Sequence, residues 1–362
     1  MTKPQKPLKL NDLLLEYLLA ASLAPTEGAR RPGTHGFIPN ISAREWSVAS
    51  DIFAMLGEDS GFEAPFEVLT LLDLERDECP ANAAEASRLA DALARPLEQW
   101  PFDVALALSE MPMLEGDFGG ERELRVRQCT LGGASVLALS GRVSAKTVLG
   151  AQVAVERLAL AWIGAAYSLG LVELHFDPES LQYPGTVSRL GEVERPLSAE
   201  ATHIVEVTVP CLPSDSSELE ARAAALGDER KPIERHIRLL RRLMIDGAPR
   251  AQQLRDACRM AAVAATSFDF GVSVTLAFSV IEGLLLDPID RDDLVARLAE
   301  AVAQGLGRSA EERTKLRGDL KRLYKFRSNF VHAGRSVEAS NARQETMHLL
   351  AEVVRRELEQ LG

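Results

Sequence analysis

The chain has 362 residues, of which 46% are hydrophobic and 26% are charged. That length and composition exclude a small single-core domain and a disordered chain, and they predict two or three globular domains. The formal net charge of −12 is unevenly distributed, since residues 1–230 contain 19 basic and 35 acidic side chains whereas residues 231–362 contain 22 and 18. An acidic region joined to a mildly basic one bears on any hypothesis of a nucleic-acid partner, because the acidic surface either only aids solubility or repels and masks RNA.

Cysteine usage and hydropathy indicate a cytoplasmic protein. The four cysteines are widely scattered and include no Cys-x-x-Cys pair, which argues against a zinc ribbon or a disulfide scaffold and favours a reducing compartment. The N-terminus leads into an amphipathic segment and not into an apolar signal core. The longest uncharged apolar run, Leu158–Val172, is shorter than the roughly 18 to 20 residues that span a bilayer. We therefore expect a buried helix there and no membrane association.

In the N-terminal half, the residue pattern predicts a mixture of helices and strands. Helices are predicted over residues 8–23, from a cap at Ser42 or Ser47 to about Met55, and over Ala83–Arg95. Strands are predicted over Phe66–Leu74, Phe102–Leu108, Glu121–Gln128, Ser135–Val143 and Ile204–Val209. A long helix is predicted over Val148–Leu171. Residues 1–211 thus form a mixed region, which we interpret as a sensor or regulatory part.

Strand patterns end after a connecting segment at residues 212–231. Beyond it, Pro and Gly residues separate six helical patterns. These are Pro232–Ile245, Pro249–Ala265, Val272–Leu286, Arg291–Gly305, Ala310–Val331 and Ser336–Leu361. The predicted fold class is therefore α+β, with a mixed α/β region followed by an all-α bundle over residues 232–362.

The fifth of these helices has an unusual charge pattern. From Arg313 to Arg335 there are eight Lys or Arg residues and one acid, Asp319. Leu316, Leu320, Leu323 and Phe330 form an apolar stripe at helical spacing, and Arg327 lies on that stripe where another Leu is expected. His332 projects from nearly the opposite side at about 100° per residue. The helix therefore offers an arginine on its packing side and a histidine on a cationic face.

Those residues carry a family resemblance. The segments Phe278-Ser-Val-Ile-Glu282-Gly-Leu-Leu285 and Leu323-Tyr-Lys-Phe-Arg327-Ser-Asn-Phe-Val-His332-Ala-Gly334 resemble the Apea-like branch of the HEPN superfamily, over about residues 230 to 362. Many members of that family have Asn directly after the Arg, whereas here Ser328 comes first and Asn329 second.

The resemblance implies a metal-independent endoribonuclease without cofactors, which acts as a homodimer with each Arg-His motif near the dimer seam. The implied catalytic set is Arg327 and His332, with Ser328 or Asn329 orienting the imidazole and Glu282 holding the arginine. Lys321, Arg322 and Lys325 are the candidate RNA-binding residues. The family also implies an effector of anti-phage defence, in which the substrate is RNA, tRNA among the candidates, and a phage-derived trigger releases the activity.

Other interpretations of the same residues stay open at this level. Arg327 could be a structural residue paired with Glu282, because a buried charge needs such a partner. Lys321, Arg322 and Lys325 could be an ordinary solvated face, and Tyr324 could pack in the core or stack on a base. HEPN domains also occur as non-catalytic modules that dimerise or bind nucleotides, RNA or partner proteins. No motif indicates a separate activity in residues 1–230.

Overall fold

The structure of the protein is a computed structural model. It describes residues 9–22, 42–57, 62, 65–75, 81–106, 114–120, 122–131, 134–172, 188–189, 192–193, 208–209, 230–267, 269–286, 293–333 and 340–361. The chain divides into two compact units. Unit 1 comprises Met1–Pro101, Val143–Ala154 and Val193–Val205, and unit 2 comprises Phe102–Arg142, Val155–Glu192 and Glu206–Gly362.

Four helices supply the core of unit 1: α1 (Leu10–Ser22), α2 (Ala43–Leu56), α3 (Pro65–Glu75) and α4 (Ala83–Leu93). Their apolar faces meet in one buried cluster. Of the two candidate caps for α2, Ser42 is the one used. Its hydroxyl accepts from the backbone N–H of Glu45 at 3.2 Å, and its own N–H donates to the Glu45 carboxylate at 2.9 Å. This reciprocal pair satisfies two backbone donors at the helix start.

The strand predicted over Phe66–Leu74 is wrong, because these residues lie in α3. The segment is a short apolar run, and such a run has no alternation that separates a strand from a buried helix. In α3, Val68, Leu69, Leu71 and Leu72 are all buried, which a helix with core on two sides allows. Pro65 fits the first turn of that helix, where its missing N–H costs nothing.

A five-stranded sheet has the order β2-β3-β4-β1-β6. Its strands are β1 (Glu98–Ala105), β2 (Gly116–Gly119), β3 (Leu124–Leu131), β4 (Ala134–Ala145) and β6 (Glu192–Val193), and β5 (Ser188–Arg189) pairs separately with β7 (Thr208–Val209). β3 and β4 are antiparallel, in register from Arg125↔Ser140 to Leu131↔Ala134. In β3, Leu124 and Val126 are buried while Arg125 and Arg127 are exposed, which confirms the predicted strand with one solvated face.

The strands predicted over Phe102–Leu108, Glu121–Gln128 and Ser135–Val143 correspond to β1, β3 and β4, whereas β2 was not predicted. The strand predicted over Ile204–Val209 and the connecting segment 212–231 lie largely outside the described residues. The predicted helix over Val148–Leu171 is α5 (Val148–Ser168). Within unit 2, α5 approaches the backbone of the helix that carries Cys258, since a Cβ added at Gly164 would lie 1.8 Å from the Cys258 carbonyl oxygen.

The described C-terminal part of unit 2 is an all-helical bundle, as predicted. Its helices are α6 (Arg230–Ile245), α7 (Pro249–Thr266), α8 (Phe270–Leu285), α9 (Leu294–Leu306), α10 (Ala310–Ala333) and α11 (Ser340–Glu359). Leu240, Leu254, Phe278, Leu320 and Leu350 are fully buried, one from each of five helices. The boundaries agree with the prediction to within a few residues, because Pro, Gly and Asp residues mark most helix ends.

One buried arginine joins three of these helices. Arg343, on α11, donates to the carbonyl oxygens of Ala265 at 2.8 Å and Ser267 at 3.1 Å, which lie at the end of α7. It also donates to the hydroxyl of Ser273, on α8, at 3.2 Å. Since the last carbonyls of a helix have no partner within the helix, Arg343 satisfies acceptors that would otherwise be buried and unpaired.

Candidate functional site

The face of helix α8 that packs against α10 carries both polar and apolar residues. Gly271, Thr275, Phe278 and Glu282 are separated by four, three and four residues and therefore lie on one side of the helix. The helix begins at an N-cap, Asp269, whose carboxylate accepts from the N–H of Val272 at 2.9 Å. Glu282 lies in the last turn of α8, a helix that otherwise consists almost entirely of apolar and small residues.

Helix α10 contributes the facing side chains. Leu320, Leu323 and Tyr324 are buried, and Arg327 and Phe330 are half-buried. All except Tyr324 belong to the apolar stripe seen in the sequence, and Tyr324 lies beside it. The two helices pack against each other. The stripe therefore is the packing face of α10, and Arg327 lies within it.

Two contacts fix the alignment of the helices. The ring of Tyr324 meets that of Phe278 edge-on, with centroids 5.2 Å apart and an interplanar angle of 77°. Phe330 lies against the backbone of Gly271, since a Cβ added there would be 2.0 Å from Cδ2 and Cε2 of the ring. Later residues of α10 thus meet earlier residues of α8, so the helices are antiparallel and Arg327 lies between the two contacts.

The Arg327 guanidinium rests on Tyr324. Its Cζ is 5.2 Å from the ring centroid, a cation–π distance, and Nη1 donates to the Tyr324 hydroxyl at 3.3 Å. Burial raises the pKa of Tyr324, the negative charge of Glu282 and a hydrogen bond to it raise the pKa further, and Arg327 opposes them. The Tyr324 hydroxyl therefore lies near both the guanidinium and the carboxylate.

This arrangement corrects the expected direct pairing of Arg327 with Glu282. Among the described residues no ion pair joins the two, and Arg327 instead donates to the Tyr324 hydroxyl, which lies near Glu282. It also decides between the two roles for Tyr324, whose side chain is 8% exposed and packs in the core instead of being free to stack on a base. The sequence did not predict the contact between Tyr324 and Arg327, because a Tyr-x-x-Arg spacing on a helix says nothing about a partner on another helix.

Three polar atoms on this interface are buried without a hydrogen-bond partner in the described part of the chain. They are Nε of Arg327, Oε1 of Glu282 and Oγ1 of Thr275. Buried polar groups are nearly always satisfied, and an unsatisfied one costs about 1–3 kcal/mol. Four other such atoms among the described residues lie elsewhere, on Trp162, Ser168, Arg241 and Arg259.

The remaining predicted site residues lie on the same helix. Ser328 is half-buried, Asn329 is exposed, and His332 lies in the last turn of α10 with its side chain outside the described part of the structure. Helix geometry separates the Arg327 and His332 positions by about 7.5 Å along the axis and about 140° around it. The helix therefore directs the two residues to different sides.

The three candidate RNA-binding cations differ in availability. Lys321 and Lys325 are exposed, share the angular sector of His332, and make no ion pair with another described residue. Arg322, in contrast, forms ion pairs with Asp319 at 3.4 Å and with Glu345 on α11. Its charge is thus neutralised locally, which leaves Lys321 and Lys325 as the free cations beside the motif.

Metal-ligating residues do not cluster in the described ranges, where no group of three or more His, Cys, Asp or Glu side chains could hold an ion. Among the described helices, none has both the length and the apolar character that crossing a bilayer requires. No protein-family model matches the chain, and no curated protein or solved structure is significantly similar to it.

Proposed function

We propose that this protein is a metal-independent endoribonuclease of the HEPN type, with Arg327 and His332 as its catalytic pair. The observation that carries the proposal is the setting of Arg327. A guanidinium lies in the packing face of α10, supported on one side by Tyr324, with its Nε buried and unpartnered among the described residues. A planar, permanently charged donor held in this way suits a phosphate.

The proposed reaction is an internal transesterification. His332, as neutral imidazole, takes the proton from a ribose 2′-OH, and the 2′-oxygen attacks the adjacent phosphorus. Arg327 stabilises the negative charge that develops on the phosphate oxygens. The bond to the 5′-oxygen breaks, and that oxygen takes a proton from water or from the partner subunit's His332. The products are a 2′,3′-cyclic phosphate and a 5′-hydroxyl, and DNA lacks the nucleophile.

The surface beside the motif supports the proposal of a homodimer. Val272 is 41% exposed and Val331 49% exposed. Each is the chain neighbour of one member of the Gly271–Phe330 contact, so both valines lie at the same end of the α8–α10 pair. An apolar surface there would bring a second copy next to His332, as the proposed dimer seam requires.

The biological part of the proposal follows from the same resemblance. The protein acts in the bacterial cytoplasm as a toxin-like effector of anti-phage defence, on cellular RNA such as tRNA. The acidic residues 1–230 restrain the nuclease until a phage-derived trigger acts on them. The unequal charge of the two regions supports this division, because an acidic surface repels RNA.

A second candidate function is favoured by one observation. Arg327 is integrated into the packing of α8 and α10 through Tyr324, as a purely structural arginine would be. In that case the domain is a non-catalytic HEPN module for dimerisation or for nucleotide or RNA binding. Cleavage experiments separate the two functions.

The test is incubation of the full-length protein with total RNA in the presence of EDTA, followed by end-group analysis of the fragments. The variants are His332→Ala and Arg327→Ala, with His348→Ala as the matched control, because His348 is an exposed histidine on the neighbouring helix α11. General acid–base catalysis contributes about 10²- to 10⁴-fold. Wild type and His348→Ala are expected to give cyclic phosphate ends, and the two motif variants to lose at least about 10²-fold in rate.

Two results would contradict the nuclease. Cleavage by His332→Ala at the wild-type rate excludes the histidine as base, and loss of wild-type cleavage in EDTA excludes a metal-independent reaction. Absence of cleavage by the wild type, with RNA or nucleotide binding that Arg327→Ala abolishes, would identify the non-catalytic module instead.

A further inference from the structure

Helix α6 has a cationic face that the proposed nuclease site does not use. Its 16 residues include six Arg or Lys and one acid, Glu234. Arg235, Arg238 and Arg242 are exposed and are separated by three and four residues, so they form one stripe along the helix. The opposite side of the helix is buried and comprises Leu239, Leu240, Leu243 and Met244.

The three arginines of this stripe are unpaired. None forms an ion pair or a hydrogen bond with another described residue. Several described arginines elsewhere in the bundle have a carboxylate partner, as in Arg250–Glu357, Arg317–Glu300, Arg322–Glu345 and Arg355–Glu352. Others, such as Arg255 and Arg343, donate to backbone carbonyl oxygens. The three arginines of the stripe therefore differ from these other arginines, which have a partner within the bundle.

The stripe is also not needed to hold α6 in place. Two other arginines hold α6 within unit 2. The Cζ of Arg241 is 5.4 Å from the Phe118 ring centroid, and its Nη2 donates to the carbonyl oxygen of Glu115 at 3.2 Å. Arg255, on α7, donates to the carbonyl oxygens of Leu243 and Asp246 at 2.6 Å. Arg235, Arg238 and Arg242 make none of these contacts. Like charges three and four residues apart repel each other on a helix, so the stripe weakens α6 unless an anion is present.

We infer that Arg235, Arg238 and Arg242 form a phosphate-binding track for an RNA strand, separate from the Arg327–His332 motif. The stripe spans about 10.5 Å along the helix, a length that can contact more than one phosphate of the same strand. Guanidinium groups bind phosphates through two donors at once. An RNA backbone is the polyanion that presents such charges in a row.

The location of α6 makes this track a second surface. α6 packs against α7, α11 and β2, whereas α10 packs against α8, α9 and α11. An RNA that reaches both surfaces must extend over part of the bundle. The choice of RNA as the polyanion rests on the proposed function, but binding at the track does not require cleavage.

The test measures binding without cleavage. A short fluorescent 2′-O-methyl oligouridylate, which has no free 2′-OH, is titrated with the full-length protein at several KCl concentrations and followed by fluorescence anisotropy. The variant carries Arg235→Gln, Arg238→Gln and Arg242→Gln. The matched control carries Arg44→Gln, Arg125→Gln and Arg308→Gln, which removes the same number of exposed charges from α2, β3 and the turn between α9 and α10. Thermal unfolding of both variants checks that they are folded.

The expected result is a change in salt dependence. Each phosphate contact on a single strand contributes about 0.7 to the slope of log K against log salt, so loss of three contacts lowers the slope by about 2. Between roughly 50 and 200 mM KCl, the affinity advantage of wild type over the variant then shrinks about 20-fold. The control variant is expected to keep the wild-type slope.

Three outcomes overturn the track: no binding by wild type, the same slope in the stripe variant as in wild type, or equal losses in the stripe and control variants. Displacement of the RNA by polyglutamate of equal charge, at equal concentration, also overturns it, in favour of an acidic protein segment as the occupant. The test is independent of the nuclease proposal. His332→Ala is expected to bind the oligonucleotide like wild type, whether or not the wild type cleaves RNA.

Discussion

The contact between Gly271 and Phe330 allows a matched pair of substitutions on one helix. A Cβ at Gly271 would lie 2.0 Å from the Phe330 ring, about 1.5 Å short of an ordinary carbon–carbon contact of roughly 3.5 Å. Overpacking of this kind costs about 1–3 kcal/mol. Gly283, also on α8, is exposed and has nothing within 4 Å of an added Cβ. There Gly→Ala brings only the gain in helix propensity, about 1 kcal/mol.

Since both variants make the same chemical change on the same helix, the difference between them isolates the packing cost. Urea unfolding followed by circular dichroism is expected to show Gly271→Ala less stable than Gly283→Ala by about 1–3 kcal/mol. Phe330 lies between Arg327 and His332, so Gly271→Ala is also expected to slow RNA cleavage while Gly283→Ala leaves it unchanged. Equal stabilities of the two variants would refute the packing of Phe330 on Gly271 and the helix alignment derived from it.

Three further predictions concern single groups. Tyr324→Phe keeps the ring contact but removes the hydroxyl that accepts a hydrogen bond from Arg327. The proposed RNA cleavage is therefore expected to fall by at least about tenfold, a loss of roughly 1.4 kcal/mol, with the helix content seen by circular dichroism unchanged. Burial lowers the pKa of His236, partly offset by Glu359, so near neutral pH the folded state binds fewer protons than the unfolded chain. The contribution of His236 to stability is therefore complete above the unfolded pKa of about 6.5 and is lost as the pH falls below it. His236→Asn is expected to flatten that part of a stability–pH curve. Hydrogen bonds from Arg317 lower the pKa of Glu300 to about 2, and in Arg317→Gln an NMR titration is expected to show it moving up towards its usual value.

Much of the bundle could be predicted from the sequence because its signals are local. Pro249 starts α7, Asp269 caps α8 and Gly307 ends α9, and each acts on the backbone within one turn. The strand predicted at Phe66–Leu74 was wrong because the local residue pattern there is ambiguous. That run has core neighbours on more than one side in the folded state, and burial of this kind removes the periodicity that distinguishes a helix from a strand.

The sequence predicted which residues could form the site, but not how they contact one another. Arg327 stood out because a charge occupied an apolar position, and Glu282 because it was the acid of an apolar helix. The contact through Tyr324 depends on how α8 and α10 are aligned, which no short-range pattern encodes. The engagement of Arg322 by Glu345 is of the same kind, because it joins residues 23 positions apart. Tertiary alignment therefore determines which cations are free.

The arginine at position 343 has a consequence for synthesis of the protein. Its donors satisfy the carbonyls at the end of α7 and the hydroxyl of Ser273 at the start of α8. A nascent chain that has not yet emerged beyond α10 lacks this side chain and the apolar face of α11, so the groove between α7 and α8 is open and its polar groups are hydrated. Helix α8, which carries Glu282 and packs against α11, therefore completes its packing only after α11 has been made. If the protein cleaves RNA as proposed, that order of events keeps an unfinished copy inactive beside the ribosome.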